Sequence, residues 1–306
     1  MKAFFIFLIQ LFLSFRPLNL FLIVLTQTLT SVFLLDNSLC ISNLFKNKNF
    51  IFCSNFYLLV LATILSAAAG YVLNDIFDRR IDLINSPLRS SFTEKNLYLF
   101  YFLSSLFLGI ALLLSFIISL KIGFAVLFSC LLLVFYAKKS KQLGILKPVL
   151  VSFLTAFSIL LVSFINYSIS TNYTLILLEI PITIYFFSFW AFLLSMLREI
   201  IKDFEDFEGD ISQHSFTSTI HLGKHKSKTL LIILSSLLIL SLLVAPFFTL
   251  NTSFRFLHQL TMIVLVGNFI FLLNDKKFNS STSNYKKLSL FCKIMMLIGI
   301  LGMMAY

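Results

Sequence analysis

The stretch Tyr71-Val72-Leu73-Asn74-Asp75-Ile76-Phe77-Asp78-Arg79-Arg80-Ile81-Asp82 closes an apolar run that begins near residue 56. A run of that length predicts a helix across a bilayer, because about 20 apolar residues span the hydrocarbon layer. The stretch then puts Asn74, Asp75, Asp78 and Asp82 where hydrocarbon penalises them. At about 100° per residue they fall near 0°, 100°, 40° and 80°, so all four share one helix face. Three carboxylates on one face repel one another unless a cation or a positive ligand neutralises them. Alone, the stretch also fits an exposed polar helix end. It has a counterpart in Glu199-Ile200-Ile201-Lys202-Asp203-Phe204-Glu205-Asp206-Phe207-Glu208-Gly209-Asp210, where 203, 206 and 210 repeat the three-then-four spacing of 75, 78 and 82.

Composition agrees with a membrane setting. The 306 residues are 59% hydrophobic and 12% charged, and the mean hydropathy is +0.97. A soluble domain carries about 25% charged residues, so the balance predicts an all-α integral membrane protein. Apolar runs predict nine spans, at about 17–35, 56–76, 97–119, 122–137, 148–169, 175–200, 229–249, 256–274 and 287–306. Pro181 predicts a kink or tilt in the sixth. No strand-like alternation persists long enough for a barrel.

The charges orient this bundle. With the N-terminus inside, 19 of the 24 Lys and Arg residues fall on one side; Lys46, Lys48, Lys121 and Arg255 fall on the other, and Lys293 lies within the last span. By the positive-inside rule the first side is cytoplasmic and the C-terminus is outside. This also accounts for the net charge of +11 without nucleic-acid binding. Nine of the 13 acids lie in the two clusters, both on that cytoplasmic side, and acids at a membrane edge mark a functional site. The clusters follow the second and sixth spans, which suggests one polytopic domain over 1–306. Its halves of about four helices, near 17–147 and 148–274, and a last helix would share a central cavity.

Other features carry less. Cys40, Cys53, Cys130 and Cys292 are scattered and read as apolar filler. Met1–Phe15 lacks a small-residue cleavage site and reads as a retained amphipathic or interfacial helix. His221 and His225 are spaced to share a metal but lack a convincing third ligand, so they read as surface histidines. Phe and Tyr, 38 and 10 in number, are too common to single out those beside the acids.

Clustered carboxylates with an amide oxygen suit magnesium, which keeps several waters and binds through a few carboxylates plus phosphate oxygens. Two such clusters facing each other predict a site for a magnesium–diphosphate complex. Arg79, Arg80, Arg89, Lys138, Lys139, Lys141, Arg198 and Lys202 lie close by in sequence and would offset the remaining diphosphate charge. Each also fits plain topology. A diphosphate ester with a long apolar organic part would lie naturally in such a bundle. Loss of diphosphate from an allylic ester leaves a cation that aromatic faces stabilise.

Asn74-x-x-x-Asp78-x-x-x-Asp82 and Asp206-x-x-x-Asp210, in a chain of nine spans, resemble the UbiA-type intramembrane prenyltransferases. Arg16-Pro17-x-Asn19 is similar to that family's opening motif, Asn85-x-Pro87-x-Arg89 to the continuation of its first acidic motif, Tyr136-x-x-x-x-Lys141 to its Tyr-Ser-x-x-Leu-Lys loop, and Thr217–Gly223 to its Thr-Leu-Pro-Ile segment. The resemblance implies a UbiA-like fold of nine transmembrane helices around a cavity open to lipid. It implies transfer of a polyprenyl group from its diphosphate to a lipophilic acceptor, with membrane lipid around the site and no obligate protein partner. Asp78, Asp82, Asp206 and Asp210 would be catalytic, and with Asn74 would bind magnesium–diphosphate, supported by Asp75 and Asp203. Arg79, Arg89, Lys141, Arg198, Lys202, Asn19 and Tyr136 would join Asn74 in holding the diphosphate. The protein is expected in the cytoplasmic membrane of a bacterium.

The chain departs from the family at Lys147-Pro148, where Gly-Asn is expected, at Thr217-Ser218-Thr219-Ile220, which lacks the proline, and at Arg89-Ser90, where Arg-Pro is expected. The run Arg198-Glu199-Ile200-Ile201-Lys202-Asp203 is most similar to the branch acting on geranylgeranylglycerol-phosphate, which points to a glycerol-phosphate or other lipid alcohol acceptor; an aromatic quinone precursor is the alternative. Nine spans exclude the soluble prenyl synthases, and the Asp-Gly-x-x-Ala-Arg signature of CDP-alcohol phosphotransferases is absent. A cation or proton transporter would carry its acids mid-span. An inert homologue would fit the altered motif positions.

Overall fold

The computed structural model describes residues 2–35, 50–85, 87–168, 180–212, 215–248, 253–274 and 282–306, and every element among them is helical. The helices are α1 (Lys2–Ser14), α2 (Pro17–Leu29, continued by a π-turn), α3 (Phe50–Asn85), α4 (Pro87–Lys95), α5 (Leu97–Ile118), α6 (Leu120–Lys139) and α7 (Leu146–Ser168). They continue as α8 (Ile182–Glu205), α9 (Phe207–Ser212), α10 (Ser218–Leu222), α11 (Lys224–Val244), α12 (Ser253–Asn274) and α13 (Thr282–Leu301). Among the described residues, nine helices are long and apolar enough to cross a membrane. The protein is an integral membrane protein.

Two expectations change. The helix that carries the first acidic stretch is longer than the expected span: α3 runs for 36 residues and ends at Asn85, three residues past Asp82. At 1.5 Å per residue α3 is about 54 Å long, against a hydrocarbon layer of about 30 Å. The second change concerns Pro181, which is the N-cap of α8 and kinks nothing. Proline is tolerated at a helix start because the amide it lacks has no intrahelical partner there. The part of the expected sixth span at 175–179 lies outside the described residues.

The chain forms two compact units, with the break between the long stretches at Ser140/Lys141. The first comprises the described residues of Met1–Gln27, Cys40–Ser140 and Phe164–Thr171. Here small residues on α3 let α6 approach: a Cβ on Gly70 would stand 3.0 Å from Leu133 Cδ2, and the Cys130 thiol lies 3.6 Å from Ser66 Oγ. Small residues at such crossings increase the packing area where no hydrophobic effect drives helices together. Around the acids, Val72, Leu73, Ile76, Phe92, Phe100 and Ala137 form a buried cluster. Phe7, Leu11 and Phe15 pack against it, while Phe5, Leu8, Ile9 and Phe12 on α1 are exposed. That two-faced pattern fits the interfacial helix expected there.

The second unit comprises the described residues of Thr28–Leu39, Lys141–Ser163 and Asn172–Tyr306. Its central element is α8, whose Ile184, Leu193, Leu197, Ile200 and Ile201 are fully buried. Thr155 on α7 shares a 3.2 Å hydrogen bond with Ser195, and Trp190 Nε1 donates to Ser241 Oγ of α11 at 3.1 Å. Phe204 stacks on Tyr285 of α13 at 4.9 Å between ring centroids. These contacts hold the helix whose last turn and C-cap carry Asp203 and Asp206.

Candidate active site

In the first unit the helical spacing makes the first motif a hydrogen-bonded pair. Asn74 Nδ2 donates to Asp78 Oδ2 at 2.8 Å, one turn away. Ser140, just beyond α6, donates to Asp78 Oδ1 at 3.2 Å. Asn74 and Asp78 are buried, and Asp82 is half-buried one turn on.

Asp75, at the edge of the polar face, is drawn aside by Arg16. Arg16 Nη2 lies 3.0 Å from Asp75 Oδ1, and the guanidinium sits 4.9 Å from the centroid of the Tyr71 ring. Burial works against the Arg16 charge, but Asp75 and then Tyr71 and Tyr136 outweigh it and raise its pKa. The α1–α2 corner that delivers Arg16 is strained, since its φ of +53° lies in the left-handed region.

In the second unit Asp206 caps α8 and is half-buried, and the short α9 presents Asp210, fully buried, with Lys141 Nζ 3.3 Å from its Oδ1. Burial pushes the Asp210 carboxyl above the usual carboxylate range; Lys141 and Lys147 oppose this, and Asp203 and Asp206 add to it. Asp203 meets protein donors on both of its oxygens. Lys147 Nζ lies 2.5 Å from its Oδ1, while Ser218 donates both its N–H, at 3.1 Å, and its hydroxyl, at 2.6 Å, to Oδ2. Both oxygens are thus engaged by protein donors, which leaves Asp203 poorly disposed to a metal.

The expected diphosphate-binding residues divide. Arg79 Nη1 is turned onto the carbonyl of Ile76 at 2.9 Å, and Arg198 Nη1 lies 2.5 Å from Glu199 Oε1. Lys202 is half-buried in the last turn of α8. Asn19 is half-buried, with its backbone amide on the Arg16 carbonyl, and Tyr136 lies within electrostatic reach of Arg16. The Arg89 side chain lies outside the described residues. His221 and His225 are exposed, as surface histidines should be.

Among the described residues no three His, Cys, Asp or Glu side chains form a cage for a metal. Magnesium takes only one or two carboxylates and fills its shell with water and phosphate oxygens. The donors fit. Among the described residues, Asn74 Oδ1 and Asp210 Oδ2 are buried with no hydrogen-bond partner. A buried oxygen without a donor is costly in isolation and is satisfied by a hard cation.

A model of the UbiA prenyltransferase family matches residues 38–292. The chain belongs to that family. It is a membrane-embedded prenyltransferase. It is 30% identical over 241 residues to the digeranylgeranylglyceryl phosphate synthase of Methanosphaera stadtmanae, covering 78% of this chain and 82% of that one. With the synthase of Saccharolobus solfataricus identity is 33% over 205 residues, 66% and 67% of the two chains. The fold is similar to a solved digeranylgeranylglyceryl phosphate synthase, with a TM-score of 0.69 at 24% identity over 98% of both chains. It is similar too to a UbiA homologue from Archaeoglobus fulgidus bound to GPP and Mg2+, with a TM-score of 0.61 at 15% identity over 97% of this chain and 100% of that one.

Proposed function

We propose that this UbiA-family protein transfers a polyprenyl group from its diphosphate to a glycerol-phosphate or similar lipid alcohol, with magnesium, and releases diphosphate. The observation that carries this is the pair of buried, unpartnered oxygens, Asn74 Oδ1 and Asp210 Oδ2, one in each acidic cluster. The names of the relatives and the run Arg198–Asp203 support the choice of acceptor. Asn74, Asp78 and Asp82 in the first acidic cluster, and Asp206 and Asp210 in the second, are the residues that would bind magnesium and diphosphate. When bound, magnesium supplies positive charge to the leaving oxygens.

The protein's own groups prepare the site. Asn74 and Ser140 fix the Asp78 carboxylate from two sides, so little reorganisation is needed when substrate arrives. Lys141, with a quarter of its side chain exposed, keeps a cation beside Asp210 and is the strongest candidate to meet a phosphate oxygen. The apolar bundle keeps water from an allylic cation. The charge bias of the loops supports a cytoplasmic face for both clusters.

Purified protein incubated with magnesium, labelled prenyl diphosphates and a panel of acceptors should add the prenyl mass to a glycerol-phosphate lipid. A prenylated aromatic acid as sole product would overturn the acceptor. Ion flux without any prenylated product would overturn the enzyme.

The raised Asp210 pKa gives a pH signature. Only the ionised carboxylate binds a cation, and Asp210 loses that form at a higher pH than an ordinary aspartate. In the metal-free protein the stability linked to its neutral form is present below the ordinary pKa and is lost as pH rises through the raised one. The magnesium concentration for half-maximal diphosphate release should therefore climb as pH falls, beginning at a higher pH than an ordinary aspartate would give. Asp210→Asn should flatten that climb; an equal slope in both proteins would exclude Asp210 as its source.

A further inference from the structure

Lys147 is among the least exposed cations of the described chain, with 5% of its side chain accessible, and it stands in the first turn of α7. A helix N-terminus is an unfavourable place for a cation, because the helix dipole is positive there. Burial adds a desolvation cost to that. The ammonium group is held in place by Asp203, 56 residues away in sequence and with no accessible side-chain surface.

Asp203 spends its other oxygen on the backbone N–H and hydroxyl of Ser218, and its carbonyl accepts from Thr219 Oγ1 at 3.1 Å. Ser218 in turn accepts from Ser227 Oγ of α11 at 3.3 Å. The loop before α7 joins the same assembly. Phe216 donates its N–H to the Lys141 carbonyl at 2.6 Å, and Gly144 donates to the Phe216 carbonyl at 2.9 Å. Gly144 takes φ +52° to do so, a conformation open to glycine. One turn of α8 is thus tied to α7, α10 and α11 through a single carboxylate. The two ligand-bearing acids hang from this assembly: Asp206 follows Asp203 by three residues, and the Asp210 carbonyl accepts the Ser215 N–H at 2.9 Å.

We propose that Lys147, Asp203 and Ser218 form a brace that sets the positions of Asp206 and Asp210, and that Asp203 positions the metal site without binding the metal. Lys147 and Ser218 stand at two of the positions where the chain departs from the family motifs, and they meet on one carboxylate. The brace rests on the prenyltransferase reading above, and it makes Lys147 and Ser218 positioning residues for that reaction.

The test is a magnesium titration of diphosphate release, with total folded protein measured in parallel by size-exclusion in detergent. Lys147→Met and Ser218→Ala should each raise the half-saturating magnesium concentration, by about tenfold or more for Lys147→Met, the scale seen when a residue supporting a metal ligand is lost. Lys147→Arg should restore most of the wild-type value. Lys147→Met/Asp203→Asn should be no worse than the worse single variant, because both remove one brace. If Asp203 binds the metal itself, Asp203→Asn alone raises the requirement, and Lys147→Met leaves it unchanged or lowers it by freeing the carboxylate; that result overturns the brace. If Lys147→Met does not fold, Ser218→Ala decides, since it removes one hydroxyl and keeps the ion pair, and an unchanged half-saturation there overturns the proposal. A wild-type protein without magnesium-dependent release would instead overturn the prenyltransferase reading, and the brace with it.

Discussion

Asp78→Ala and Asp206→Ala are each expected to slow magnesium-dependent diphosphate release by at least 10²- to 10³-fold, while the protein still inserts and elutes as a folded species. The range is that for removing one preorganised group which stabilises charge in a transition state, on the order of 3 kcal/mol or more. Asp78 should show the larger loss. Its carboxylate is held by Asn74 at 2.8 Å and Ser140 at 3.2 Å, so truncation removes the charge proposed to meet the metal and leaves two buried groups without their partner. Asp206 is half-buried, and no side-chain partner lies on it among the described contacts. Its loss should therefore fall on turnover and magnesium affinity, with little effect on thermal stability. The readout is labelled diphosphate release at saturating magnesium, beside a melting curve. Full prenyl transfer by either variant would sink the mechanism.

Arg16→Met should lower stability by about 3 kcal/mol, the low end of the range for breaking a buried ion pair. The low end applies because Arg16 is 22% exposed, whereas Asp75 is only 1% exposed and would lose this ion pair. Arg16→Met/Asp75→Leu should recover most of that loss, since replacing both partners of a buried pair by apolar groups is often neutral. Thermal unfolding of the three proteins in the same detergent measures this. If the single variant melts with the wild type, the pair is not structural. If the double variant stays as unstable as the single, Arg16 acts through something other than Asp75.

Much of this protein was legible from residue order. Nine apolar runs, a lopsided distribution of Lys and Arg, and two acid triplets of equal spacing were enough for fold class, membrane residence and the general chemistry. Each is a local property, since span length and loop charge depend on no distant partner. The Asn74–Asp78 hydrogen bond belongs with them, because residues four apart on a helix meet wherever the helix lies.

Partners across the chain were not legible. Helical periodicity puts Asp75 on the polar face with Asp78 and Asp82, and only the folded chain brings Arg16, 59 residues away, onto its carboxylate. Lys147 looked like a gap in a family motif, and only the folded chain pairs it with Asp203. Pro181 stands within an apolar run yet starts its helix, because such a run does not mark where a helix begins.

The opening stretch shows where the two kinds of information divide. Its sequence alone determined a membrane helix with carboxylates on one face, because length, hydropathy and a 3.6-residue period suffice for that. Which of those carboxylates remain available to a ligand was decided by tertiary structure. A buried acid takes the nearest donor that offsets its desolvation, and for Asp75 and Asp203 that donor comes from a distant part of the chain.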